Sequence, residues 1–148
     1  MSSHDIRVLN DLVEITLDSA DGYAEAAREA QAVRYSAMFQ ARASERSQIA
    51  ARLQQQVQAL GGDAESGGSV LASAHRMFAH LRQTLSAGDH AVVTEVERGE
   101  AYIRTQFEHA LQDSTLGAPT HALIADAYRS VQSGHEQMRR LQQAAVSR

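Results

Sequence analysis

Cysteine, tryptophan and lysine are absent from this chain of 148 residues, and proline occurs once. Without cysteine there are no disulfides, no thiolate metal sites and no cysteine nucleophile. Aromatic residues are scarce, and no basic run is interleaved with them, so the positive face of a nucleic-acid binder is missing. The formal net charge is −4. The amphipathic stretches have no basic polar face, which argues against an anionic lipid surface as partner. No apolar run approaches the roughly 20 residues that a bilayer span needs. The start, MSSHDIRVLNDL, shows no basic segment followed by an apolar run, the mark of a signal peptide. The segment GGDAESGG precedes no G-K-[ST] and follows no strand, so it is not a phosphate loop, and no Ser-His-Asp arrangement is visible. The expectation is a cytoplasmic protein with neither nucleic acid nor membrane as partner.

What is present is Ala, Leu, Gln, Glu and Arg, all strong helix formers. A chain of this length buries one real core, so residues 1–148 read as a single all-α domain. With arginine as the only long cation, its surface suits helix ion pairs worth about 0.2–0.5 kcal/mol each.

Periodicity divides the chain. Ser2 and Asp5 have the spacing of a capping box, and a stripe through Leu9, Leu12, Val13, Thr16, Ala20, Tyr23, Ala24, Ala27 and Ala30 predicts a first long helix. A break is placed near Ala32 to Arg34. A second helix carries Met38, Phe39, Ala41, Arg42, Glu45, Ile49, Leu53, Val57 and Leu60, and stops at Gly61-Gly62, a C-cap signal. Gly61 to Ser69 reads as a loop. Ser69 caps a shorter helix, Val70 to Ala87, broken by Gly88-Asp89. The third long helix carries Val92, Val93, Val96, Ile103, Phe107 and Leu111, and runs to about Asp113. After a loop at Ser114 to Thr120 holding Pro119, the fourth shows Ile124, Tyr128, Val131, His135, Met138, Leu141 and Ala145. Four long helices with a shorter one between the second and third fit a four-helix bundle with one long crossover, the ferritin-like arrangement.

Each long helix has a polar residue on or beside its stripe: Thr16, Glu45, Glu100 and His135. Glu100 falls where the third helix should be driest, beside Gly99, with Glu97 one turn earlier. An unpaired buried carboxylate is costly, so Glu100 needs a partner, a proton or a metal. Candidate partners are His135, Thr16 and Arg46. Gly99 and Gly134 each precede an in-stripe polar residue, which leaves room for an ion or a close helix crossing. His75 and His80 are five apart and share no helix face. His4, His90, His109 and His121 lie near segment ends or outside the stripes.

The order LNDLVEITLDSADGY, ARASER, LGGD, EVERGEAY and VQSGHEQMRRL resembles an uncharacterised bacterial family of ferritin-like four-helix-bundle proteins, a domain of unknown function. The resemblance covers nearly the whole chain and implies a bundle distantly similar to rubrerythrin and ferritin. Against that pattern, Thr16 stands where a helix-one Glu is expected, Gln48 where a His ligand would be, and Gln132 where a bridging Glu would be. What remains as a candidate metal set is Glu45, Glu97, Glu100 and His135, enough for one divalent ion such as iron and short of the carboxylates that two need. Two functions follow as expectations. One is a non-catalytic bundle with a degenerate di-metal site, acting in structure, interaction or stress. The other is an iron-binding redox or metal-handling protein. Alanine-rich faces suggest a homo-oligomer, a dimer being the simplest case.

Overall fold

The computed structural model describes residues 2–66 and 88–146. The expected helix Val70–Ala87, its cap Ser69, and His75 and His80 lie outside the described residues. Among the described residues the chain forms four α-helices and no strand: α1 (Ser2–Glu29), α2 (Val33–Ala59), α3 (Asp89–Leu111) and α4 (Ala118–Val146). The turn between α1 and α2 falls at 30–32, slightly ahead of the break placed at Ala32 to Arg34. None of these helices is long and apolar enough to cross a membrane.

Local chemistry sets the ends. Gly61 adopts φ 86°, its N–H reaches the Gln58 carbonyl at 2.9 Å, and the Gly62 N–H reaches the Val57 carbonyl at 2.9 Å. That pair of bonds closes α2 in a Schellman motif, as the glycine pair predicts. Gly62 also lies against α1: a Cβ there would come within 2.8 Å of the Ile6 side chain. Pro119 occupies the first turn of α4, where its missing N–H costs nothing. Asp5 has a different task from the capping box. Its Oδ2 accepts the Gly117 N–H at 3.0 Å, tying the α3–α4 loop to the start of α1.

Cross-helix bonds fix direction. Arg42, Arg52 and Gln56 of α2 meet Gln137, Asp126 and Thr120 of α4, so these helices are antiparallel. The same holds for α3 and α4, where Thr94, Glu97 and Glu108 meet Gln142, His135 and Tyr128. Asp89, opening α3, accepts the N–H groups of Gln31 and Ala32 at 2.9 and 2.8 Å in the α1–α2 turn. At the other end, His4 of α1 meets Asp113, just past α3, at 2.6 Å. Hence α1 is antiparallel to both α2 and α3, while α2 and α3 run the same way. The end of α2 and the start of α3 therefore lie at opposite ends of the bundle.

The core is in two parts. Toward the start of α1, Leu9, Val13, Leu53, Ile103, Phe107 and Ile124 form one apolar cluster. Toward its end, Tyr23, Phe39, Val92, Val96 and Met138 form another. Each fully buried side chain of this kind contributes about 1.5–3 kcal/mol. A polar layer lies between them.

The tie at Asp113 makes stability depend on acid. Its Oδ1 accepts from the Thr115 hydroxyl and N–H, and its Oδ2 from His4. These bonds hold its carboxyl down to about 2 from the usual 3.8. A carboxyl depressed in the folded state stabilises fully above its unfolded value, and that stabilisation is lost as pH falls through the folded one. Urea denaturation of Asp113→Asn should therefore show a shallower loss of stability than wild type between about pH 4 and pH 2. An acid limb identical to wild type would contradict this role.

Candidate functional site: a buried arginine–glutamate layer

The polar layer is built by all four helices. On α2, Phe39, Arg46 and Leu53 are seven apart, so Arg46 points inward along the same line as two core residues. On α3, Val93, Val96, Glu100, Ile103 and Phe107 do the same for Glu100. Both Arg46 and Glu100 are 0% exposed. Arg46 Nη1 donates to Glu100 Oε1 and Nη2 to Glu100 Oε2, each at 2.6 Å, a bidentate charge-assisted pair. Nη1 also donates to Ser19 Oγ of α1 at 2.9 Å. The guanidinium carbon lies 5.5 Å from the Tyr23 ring centroid, a cation–π contact. Arg46 Nε finds no hydrogen bond; Glu45 Oε1 lies 3.8 Å from it.

Electrostatics follow burial. Burial acts to lower the Arg46 pKa, and the Glu100 carboxylate, with Tyr23 and Glu45, outweighs it, so the net shift is upward and the guanidinium stays charged. The Tyr23 hydroxyl is pushed well above its ordinary value, first by burial and then by the Glu100 carboxylate. It is buried and makes no hydrogen bond of good geometry.

The fourth helix contributes a gap. A Cβ on Gly134 would fall on Arg46 Nη2 and within 2.6 Å of Glu100 Oε2. Only a residue without a side chain lets α4 close over the ion pair. Beside it, Arg42 of α2 donates from Nη1 to Glu45 Oε1 at 3.0 Å and from Nε to Gln137 Oε1 at 2.9 Å.

A second chain of bonds joins α3 to α4. Arg104 Nη1 lies 3.3 Å from His135 Nδ1, and His135 Nε2 lies 3.0 Å from Glu97 Oε1. Arginine can only donate, so Nδ1 is placed to accept from Arg104 and Nε2 to donate to Glu97. Arg104 also reaches Glu108 Oε2 at 3.4 Å, which accepts the Tyr128 hydroxyl at 2.6 Å. That bond holds the Glu108 carboxyl below its usual range, and burial together with the same bond raises the Tyr128 phenol.

The residues singled out from sequence fall in different places. Glu100 is at the centre, paired with Arg46. His135 is buried against Glu97 and Arg104. Glu45 is half-buried and engaged by Arg42. Thr16 is fully buried, but its hydroxyl donates back to the Leu12 carbonyl at 2.6 Å within α1. Ser19, one turn on, reaches the layer instead. Gln48 is exposed and Gln132 half-buried. Among the described residues, no three His, Asp or Glu side chains converge closely enough to hold a metal ion. Ser19 was not singled out, and its spacing of three from Thr16 and four from Tyr23 was the available signal; Arg42, in the second stripe, lies beside the pair, and Gly134 provides the close approach its position suggested.

A family described as a domain of unknown function (DUF2383) matches residues 4–113, and the chain belongs to that family. The match takes in α1, α2 and α3, and with them Ser19, Tyr23, Arg46 and Glu100; α4, with Gly134 and His135, lies beyond it. No curated protein matches the chain.

Two substitutions test the layer. Gly134→Ala gains about 1 kcal/mol of helix propensity but must displace the ion pair, which costs about 1–3 kcal/mol or more. Its denaturant midpoint should fall below wild type; a rise would show that the gap is not needed. Glu100→Gln strands the buried guanidinium and should cost about 3–5 kcal/mol in the same assay.

Proposed function

We propose that this member of the DUF2383 family is a ferritin-like helical bundle with a non-catalytic role, in structure, interaction or stress protection, whose core carboxylates are neutralised by its own arginines in place of metal. The helix directions support the ferritin-like part: α1 opposes α2 and α3, and one long connection joins opposite ends, as in bundles with a single crossover. The Arg46–Glu100 pair carries the rest. Both Glu100 oxygens are taken by the guanidinium, and a cation entering beside Glu100 would meet a fixed positive charge. The second line of candidate ligands is equally committed: Glu97 accepts from His135, and the other ring nitrogen of His135 faces Arg104. The residues present do not fit a di-metal centre of the carboxylate type.

The homo-oligomer belongs to the same proposal. Ala24, Ala27, Ala37 and Ala43 line shallow grooves on the outer side of the α1–α2 hairpin, and Val33 at its tip is 84% exposed. Light scattering of the purified chain tests it, with a mass above that of one chain expected.

Elemental analysis tests the metal question. The protein, as purified and after anaerobic incubation with Fe(II), should carry no stoichiometric metal, and chelator should leave its melting temperature unchanged. One or two metals per chain, lost in Glu100→Ala, would overturn the reading in favour of a redox or metal-handling protein.

A further inference from the structure

We infer that the outer face of α1 is a binding site for a linear polyamine, an organic cation whose ammonium groups are separated by three- and four-carbon spacers. Asp11, Glu14, Asp18 and Asp21 follow one another at intervals of three, four and three residues. At about 100° per residue they fall within an arc of about 80°, on one side of the helix. Leu9, Val13 and Thr16, all fully buried, fall on the opposite side. A fifth carboxylate comes from beyond α2. The Asn10 side chain donates to the Asp63 carbonyl at 3.0 Å and accepts the Glu65 N–H at 2.9 Å, and Gln54 donates to the Glu65 carbonyl at 2.7 Å. Glu65 is thereby held where its charge acts on both Asp11 and Glu14.

Glu14 is not an ordinary surface acid. It is only 8% exposed. Among the described residues it meets no cation and no hydrogen-bond donor, and its charged neighbours are Glu65, Asp11 and Asp18. Burial and then these like charges raise its carboxyl above the usual range. The Asp11 carboxyl is raised as well, by burial and by Glu65, against the pull of Arg7. Arg7 stands one turn before Asp11, at the end of the row, and also meets His4. A buried carboxylate is costly unless a cation meets it, and here the fold adds negative charge around it.

Spacing selects the cation. Among the described residues, no three of these carboxylates converge closely enough to share one metal ion. A ligand with several separated charges can engage them together. Three residues of helix rise about 4.5 Å and four about 6 Å. Two ammonium groups joined by three carbons are four bonds apart, about 5 Å, and by four carbons five bonds apart, about 6 Å. The gaps along α1 thus match the propyl, butyl and propyl spacers of spermine, with Glu14 against an inner ammonium and Glu65 beside the first.

Calorimetric titration of the whole chain tests this, in about 0.15 M salt, where a diffuse ion atmosphere is screened. Spermine should bind once per chain, and a tetra-amine with three-carbon spacers throughout should bind several-fold more weakly. Glu14→Gln should weaken spermine about tenfold, and Asp11→Asn and Glu65→Gln a few-fold each. Circular dichroism should show all three folded, because each removes a like charge. Glu136→Gln, at an exposed position on α4, should bind as wild type does. The site is overturned if spermine does not bind, if Glu14→Gln binds it undiminished, or if the two tetra-amines bind equally. Mg(II) binding as tightly as spermine would also overturn it, by showing an ion atmosphere only.

Discussion

One bidentate ion pair, Arg46 to Glu100, decides how the four helices stand against one another. Its two bonds join α2 to α3, a third joins α2 to Ser19 on α1, and the space it occupies dictates glycine at 134 on α4. Taking two charges out of water is expensive, and a well-packed apolar replacement is often as stable or more so. The pair therefore matters less as a source of net stability than as a constraint. Once the guanidinium and the carboxylate are buried, a helix sliding by one turn would strand one of them. Apolar stripes tolerate such slips far better, because leucine against leucine has no partner to lose. The two apolar clusters supply the driving force, and the polar layer between them selects the register.

That division also sets how the polar groups of the core are spent. Among the described residues, the three carboxylates of the layer are each engaged: Glu100 with Arg46, Glu97 with His135, Glu45 with Arg42. Such mutual engagement fixes the side chains of the layer in one arrangement.

The helices were legible because hydrophobic spacing alone specifies them, and Gly61 marked the end of α2 with a conformation few other residues adopt. Glu100 was legible for the same reason: a charge inside an otherwise dry stripe must have a partner. The identity of that partner was harder to read. Glu45 and Arg46 are adjacent, about 100° apart around the helix, and the heptad through Phe39 and Leu53 favours Arg46 as the inward residue. A ferritin-like expectation pulls toward Glu45 instead. Thr16 and Ser19 posed the same choice on α1, and a hydroxyl that can bond its own helix backbone gives no sign of which will reach across. Asp5 matched a local cap motif yet serves a residue 112 positions away, a link that no local pattern records.

The directions of α2 and α3 have a consequence for the chain that joins them. An α-helix the length of α2 spans about 40 Å at 1.5 Å per residue. An extended chain covers that distance in about 12 residues. Residues 60–88 supply more than twice that number, so reach does not limit this connection. Loop-closure entropy changes slowly with length, by only about 0.6 kcal/mol per doubling. Relatives sharing the same polar layer are free to differ in the length of this one segment, whereas the turn at 30–32, bound at both Gln31 and Ala32 by Asp89, has no such latitude.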